Sequence, residues 1–239
     1  MRNITLTSSY SIYIILIFGA LSMTFAQSNL NVGADLVSRY VWRGTDFGQS
    51  PSIQPTLAYT VGGLELGTWG AYQLGRDASE LPVDELDLYL GYTFVLGNSS
   101  LGLIVTDYYF PNAGGRFGDY DDDGKGAHIV ELGATFTLPE SIPFYLSGFV
   151  NVYNDPDYSS YFELGYYTTF NDVGFNIFIG ATPGGENKFY GTENFNVINF
   201  GITASKEIKI SEHFSLPIFG SYILNPNQDQ THFVFGISL

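Results

Sequence analysis

Strict alternation of apolar and polar residues over short stretches is the feature that most constrains the fold of this chain. The clearest case is the stretch ELDLYLGYTFVL at 85–96. One face carries only aliphatic and aromatic side chains, namely Leu86, Leu88, Leu90, Tyr92, Phe94 and Leu96. The other face carries Asp87, Tyr89, Gly91 and Thr93. A period of two residues is typical of a β-strand with one apolar face, so each such stretch predicts a strand.

The same alternation recurs along most of the chain, and almost no segment after residue 27 shows helical periodicity. We predict twelve strands, with ten or fourteen as alternatives. They lie at 30–42, 51–61, 64–75, 84–96, 100–110, 127–138, 143–153, 159–170, 173–182, 194–206, 214–224 and 230–239.

The connections between these strands alternate in length. The longer polar ones lie at 43–50, 76–83, 111–126, 154–158, 183–193 and 225–229. The connections between them are short turns, of which the one at 207–213 is the longest. Alternating short and long connections are typical of outer-membrane barrels. The fold class predicted is therefore all-β, a transmembrane antiparallel up-and-down β-barrel. A soluble β-sandwich is the alternative, but its outer face would be polar, whereas one face of these strands is unbroken apolar surface.

Composition agrees with a membrane barrel. Charged residues make up only 14% of the 239 residues, against about a quarter in soluble domains. The formal net charge is −15, which argues against nucleic acid as a partner. There is no cysteine, so no disulfide framework holds the fold together.

The N-terminus predicts export. Arg2 is followed by an apolar run at about 12–21, and the small residues Thr24 and Ala26 suit cleavage before Gln27. That run is shorter than the roughly 20 residues of a membrane-spanning helix. We therefore expect a signal peptide at 1–26 and an outer-membrane barrel domain at 27–239. An even strand count places both termini in the periplasm, with outer-membrane lipid around the barrel.

The chain ends in THFVFGISL, whose apolar residues again fall on one face. This is the pattern of a closing barrel strand, although such strands usually end in an aromatic residue and this one ends in Leu239. We expect this strand to engage the barrel-assembly machinery. The oligomeric state stays open.

If the apolar face meets lipid, the other face lines the lumen. The charged residues predicted to line a pore are Asp35, Arg39, Arg43, Glu65, Asp87, Asp107, Glu131 and Glu163. Asp107 is the least secure, because it shares parity with apolar Leu103 and Val105, so its strand needs a bulge or a mixed interior. A net acidic lumen favours cations. The alternative is a buried ion-pair network that plugs a narrow barrel.

An acidic stretch in the connection at 111–126 carries a motif that suggests metal binding. The stretch GDYDDDGKG at 118–126 places Asp119, Asp121 and Asp123 in a D-x-D-x-D-G pattern, which predicts a weak Ca²⁺ site in an outer loop. The twelfth position is Val130 and not glutamate, so a solvated acidic loop is the alternative. No catalytic motif accompanies the few histidines, and we expect the protein not to be an enzyme.

The segment DLVSRYVWRGTDFGQSPSIQPTLAYTVGGLELGTW at 35–69 resembles the opening of the outer-membrane porins labelled TorF-like. The later segments HIVELGATF, YFELGYY and FVFGISL are also similar to that group. The resemblance implies an outer-membrane barrel and supplies no substrate. The function predicted is a porin, a passive diffusion channel for small polar or cationic solutes. The alternative is a closed structural barrel, or one that binds a ligand or glycan through its outer loops and carries a surface Ca²⁺ loop.

Overall fold

The computed structural model describes residues 29–75, 84–112, 115–121 and 126–239. Within these ranges the chain forms fourteen β-strands. They are β1 (Leu30–Val37), β2 (Tyr40–Trp42), β3 (Thr45–Gly48), β4 (Ser52–Val61), β5 (Leu64–Gln73), β6 (Glu85–Leu96), β7 (Ser99–Tyr109), β8 (His128–Thr137), β9 (Phe144–Tyr153), β10 (Ser160–Phe170), β11 (Val173–Thr182), β12 (Asn196–Lys209), β13 (Ser215–Asn225) and β14 (Gln230–Ser238). None of the described residues belongs to a helix that is long and apolar enough to cross a membrane. The predicted signal peptide lies outside the described residues.

Twelve of the strands close into one antiparallel barrel, which confirms the predicted fold class. The wall runs β1-β14-β13-β12-β11-β10-β9-β8-β7-β6-β5-β4, and β4 pairs with β1 to complete the circle. The last strand closes the barrel: Asp35 pairs with Ser238, and the Ala34 amide donates to the Leu239 carbonyl at 3.1 Å. The remaining two strands, β2 and β3, form a separate two-stranded sheet.

Ten of the twelve predicted strands agree with the structure to within two residues at each end. The predicted first strand, 30–42, is wrong because β1 ends at Val37 and β2 belongs to another sheet. The predicted loop at 43–50 is wrong for the same reason, since it contains β3. The predicted connection at 207–213 is also misplaced, because β12 continues to Lys209 opposite Ser215.

The outer face of the barrel is a belt of exposed apolar side chains. Adjacent strands present them in register, as where Leu66 of β5 pairs with Leu90 of β6. The belt includes Leu57, Leu66, Leu88, Leu90, Leu103, Leu132, Leu146, Phe162, Leu164, Ile179, Phe200, Tyr222, Phe233 and Phe235. An apolar surface that encircles a closed barrel is stable in lipid and not in water. The protein is therefore an outer-membrane β-barrel.

The inner face accommodates large aromatic rings by placing glycine opposite them. Five cross-strand pairs follow this rule: Gly67 with Tyr89, Gly133 with Phe149, Gly165 with Tyr145, Gly201 with Phe178 and Gly236 with Phe219. A Cβ atom at these glycines would lie between 2.0 and 2.6 Å from the facing ring. The inner wall is thus packed with rings lying flat over glycines.

Candidate functional site

The hairpin formed by β2 and β3 (Tyr40–Gly48) folds into the barrel lumen and does not extend the wall. Its two central residues are Arg43 and Gly44, with φ angles of 49° and 78°, which is the pattern of a two-residue type I′ turn. The tip reaches the opposite wall, since a Cβ atom at Gly44 would lie 2.0 Å from the Ile198 carbonyl oxygen of β12. Only glycine allows this close approach.

Arg43, at the hairpin tip, makes a buried two-point ion pair with Glu131 of β8. Its Nη1 and Nη2 atoms lie 2.5 and 2.9 Å from the two carboxylate oxygens, and both side chains are 2% exposed. Nη1 also donates to the Tyr190 hydroxyl at 2.5 Å. The guanidinium lies 4.3 Å from the ring centres of Trp42 and Phe149. A charge at this depth is stable only when paired and hydrogen-bonded in this way.

Tyr190 comes from the long loop between β11 and β12, so the hairpin tip is covered from the loop side as well. Its ring stacks on Trp42 at 5.9 Å between ring centres. Burial raises the pKa of the Tyr190 hydroxyl, which therefore stays protonated while it accepts from Arg43. The guanidinium is enclosed on all sides by the wall, the hairpin and this loop.

Further contacts join the hairpin to the rest of the wall. The Tyr40 hydroxyl donates to Glu85 of β6 at 2.9 Å, and Trp42 meets Tyr108 of β7 edge to face. On the other side, the Asn225 side chain of β13 donates to the Gly44 carbonyl at 3.0 Å. Val41 packs against the apolar cluster of β1, β11, β13 and β14, which consists of Val37, Phe178, Ile223 and Val234. The hairpin therefore touches the wall around the circumference and fills the lumen at this level.

A ring of tyrosine–carboxylate pairs lies on the inner wall around the hairpin. The Tyr108 hydroxyl donates to Glu131 at 2.8 Å. Glu163 of β10 accepts hydrogen bonds from Tyr145 at 2.7 Å and from Tyr161, and Asn199 donates to it at 3.2 Å. These acids are satisfied mostly by neutral donors, so the wall keeps an excess of carboxylates.

The lumen is open at the end of the barrel that carries the short connections. A cavity of about 1600 Å³ lies there, lined by the turns at 62–63, 97–98 and 138–143 and by Thr60, Glu65, Thr93 and Tyr167. Glu65 accepts from Thr60 at 3.1 Å. The two halves of the lumen thus differ: one is an open vestibule among the short turns and the other is occupied by the hairpin.

Five of the residues predicted to line a pore are on the inner face of the wall. They are Asp35, Glu65, Asp87, Glu131 and Glu163, each opposite an inward residue of a neighbouring strand. The two arginines reach the lumen by another route, because both belong to the inward-folded segment. Arg39 pairs with Asp46 of the hairpin at 2.8 Å and is 36% exposed. Only Arg43 is brought into contact with a wall acid.

Asp107 does not line the lumen, which corrects the prediction. It lies opposite Leu88 and Val130 on the outer face, and β7 contains no bulge at this point. Its carboxylate contacts Nδ1 of His128 at 2.9 Å and accepts from Tyr120 at 3.0 Å. Phe117 and Tyr120 of the loop after β7 cover this pair from outside. The loop, folded back over the wall, is the physical reason that an outward acid is tolerated here.

The predicted Ca²⁺ loop is only partly within the described residues. Asp119, which is half-buried, and Asp121, which is exposed, lie within them; Asp123 lies outside the described residues. Within the described ranges no cluster of three or more acidic or histidine side chains is arranged to hold a metal. The calcium site stays a prediction.

Sequence reasoning missed four residues that build the site, namely Tyr40, Trp42, Glu85 and Tyr190. One signal could have found the hairpin. Arg43-Gly44 lies between the short alternating runs YVW and TDF. A two-residue connection that ends in glycine, between two such runs, is a common β-hairpin signal. Nothing in the sequence indicates that the hairpin points inward, because that depends on which wall side chains accept it.

The fold and the site define a class: a twelve-stranded outer-membrane barrel whose lumen holds an inward hairpin. The chain belongs to the Gcw_chp family, described as bacterial proteins of unknown function, whose model matches residues 23–216. No curated protein matches the sequence.

Several solved structures are similar in fold. One, from work on in-meso crystallization of membrane proteins, has a TM-score of 0.48 and 9% identity, covering 87% of this chain and 82% of its own. The structure of Pseudomonas aeruginosa OccK8 (OprE) has a TM-score of 0.43 and is 10% identical in sequence. The match covers 88% of this chain and 67% of OccK8. A double mutant of the Rh. blastica porin has a TM-score of 0.40 and is 14% identical. The match covers 90% of this chain and 74% of that porin. At these TM-scores no functional conclusion follows.

Proposed function

We propose that the protein is a porin-like channel that is closed by the β2–β3 hairpin and conducts when the hairpin leaves the lumen. The observation that carries the proposal is the position of this hairpin across the lumen, in contact with strands all around the wall. Long loops face the exterior and both termini face the periplasm. This arrangement also suits a relationship to the TorF-like porins.

The attachment of the hairpin supports a movable element. Its strands pair with each other and not with the wall. It is held by side-chain contacts, among which the Arg43–Glu131 ion pair is the deepest. Breaking these side-chain contacts, at the tip and along the hairpin, would free it without breaking any wall ladder.

The charge of the wall supports a preference for cations. Six inward carboxyl groups, those of Asp35, Glu65, Glu85, Asp87, Glu131 and Glu163, face a lumen that holds the two hairpin arginines. Removal of the hairpin takes both arginines with it and leaves only acids among these groups. Small polar or cationic solutes are therefore the class that the open lumen admits.

The test is planar-bilayer recording of the wild-type protein and of a variant in which 39–49 is replaced by a short Gly-Ser linker. We expect a largely closed wild type with rare openings. The variant should carry a steady, cation-selective current, with selectivity taken from the reversal potential. A variant with the turn at 139–142 replaced, at the opposite end of the barrel, should behave like the wild type.

If the hairpin variant folds into a barrel, as judged by circular dichroism and heat-modifiable migration, and still carries no current, the protein is a closed structural barrel.

A further inference from the structure

Asp87 of β6 is a carboxylate without a hydrogen-bond donor in the protein interior. Its side chain points into the lumen and the residue is 1% exposed. Neither carboxylate oxygen meets a donor among the residues that the structure describes. The carboxyl group of Glu85 is within hydrogen-bonding reach of it. Glu85 lies two residues earlier on the same face of the strand.

The surrounding acids all have donors. Glu85 accepts from Tyr40, Glu131 accepts from Arg43 and Tyr108, and Asp107, across the sheet, contacts His128. Arg43 is committed to Glu131 by two hydrogen bonds. No basic side chain among the described residues forms an ion pair with the Glu85–Asp87 pair.

An unbalanced charge at this depth is costly, and a buried polar group without a partner points to an ion or proton bound there. The described residues hold no cluster of three acidic or histidine groups of the kind that binds a divalent metal. The cross-strand neighbours of Asp87 are Trp69 and Tyr108, whose side chains are on the same inner face. A cation placed over the face of such a ring is attracted to it.

We propose that the Glu85–Asp87 pair binds one compact monovalent cation, either an alkali ion or a small ammonium ion. The cation bridges the two carboxyl groups and lies under Tyr40 of the hairpin. The inference rests on the proposed channel only for the route by which the ion enters. The competing explanation is a single proton shared by the two acids.

The chain offers a local probe for this site. It has two tryptophans: Trp69 lies directly opposite Asp87, and Trp42 contacts Tyr108. Refolded barrel in zwitterionic detergent at pH 8 is titrated with sodium, potassium or methylammonium chloride. N-methyl-D-glucamine chloride, whose cation is too large for the site, keeps the ionic strength constant. Tryptophan emission is the readout, and comparing the titrants distinguishes an alkali site from an ammonium site.

We expect a saturable emission change in the wild type, its loss in Asp87→Asn and its loss or weakening in Glu85→Gln. The matched control Asp172→Asn, in the exposed turn between β10 and β11, should keep the wild-type response. A wild type that shows no saturable response would overturn the cation site. A response retained in both Asp87→Asn and Glu85→Gln would place the cation elsewhere and also overturn it. Neither outcome depends on current through the channel, so the two proposals fail separately.

Discussion

Replacing Arg43 with alanine is expected to lower the free energy of unfolding by about 3–5 kcal/mol, the usual cost of removing one partner of a buried ion pair. Glu131 would keep Tyr108 as a donor but lose both hydrogen bonds from the guanidinium. The cation–π contacts with Trp42 and Phe149 would vanish as well. Urea unfolding of the barrel in lipid vesicles measures the difference.

The residue just before the hairpin, Arg39, provides a matched control. Arg39 pairs with Asp46 at 2.8 Å, but its side chain is 36% exposed. Exposed ion pairs contribute at most about 1 kcal/mol, so Arg39→Ala should change the unfolding free energy by no more than that. Equal costs for the two substitutions would mean that the buried pair does not hold the hairpin.

An arginine on the outer face should be nearly as damaging at mid-height of the wall. Leu90 of β6 is 44% exposed and pairs with Leu66 and Val105 on the outer face. Leu90→Arg should cost about 2–4 kcal/mol in a bilayer, because the charge would lie near the membrane midplane. The measurement is again urea unfolding in vesicles.

The same strand supplies the control for depth. Leu96 is 51% exposed and lies next to the short turn at 97–98. Leu96→Arg should cost only about 0–1 kcal/mol, since an arginine near the interface reaches water. If both substitutions were harmless in lipid, the apolar belt would not be membrane-embedded.

The wall of the barrel was predictable from the sequence because it is built from a local signal. Each wall strand buries one face and presents the other to lipid, so parity along 85–96 alone fixes which side chains point inward. This succeeded for Asp87, Glu131 and Glu163. It also placed Gly133 and Gly165 inward, where they lie opposite aromatic rings.

The hairpin was not predictable by the same reasoning. Alternation continues from Leu30 to Trp42 with nothing to mark the point where the chain leaves the wall. That departure depends on contacts with residues far away in sequence, such as Glu131 and Asn225. Asp107 failed for a related reason, because the loop that covers it folds back over the outer face. The parity of a residue along a strand predicts which face of the sheet it is on, but not which loops or side chains pack against that face.

The most direct test of the account is the accessibility of a single cysteine below the hairpin. The chain has no native cysteine, and Thr93 lines the cavity at the short-turn end. Thr93→Cys is reconstituted in vesicles with uniform orientation, which is verified with Tyr158→Cys in an exposed long-end loop. A small cationic thiol reagent is then added from one side at a time. We predict rapid modification of residue 93 from the short-turn side, and from the long-loop side only after 39–49 is replaced. Equal rates from both sides in the protein with an intact hairpin would contradict the claim that the hairpin closes the lumen.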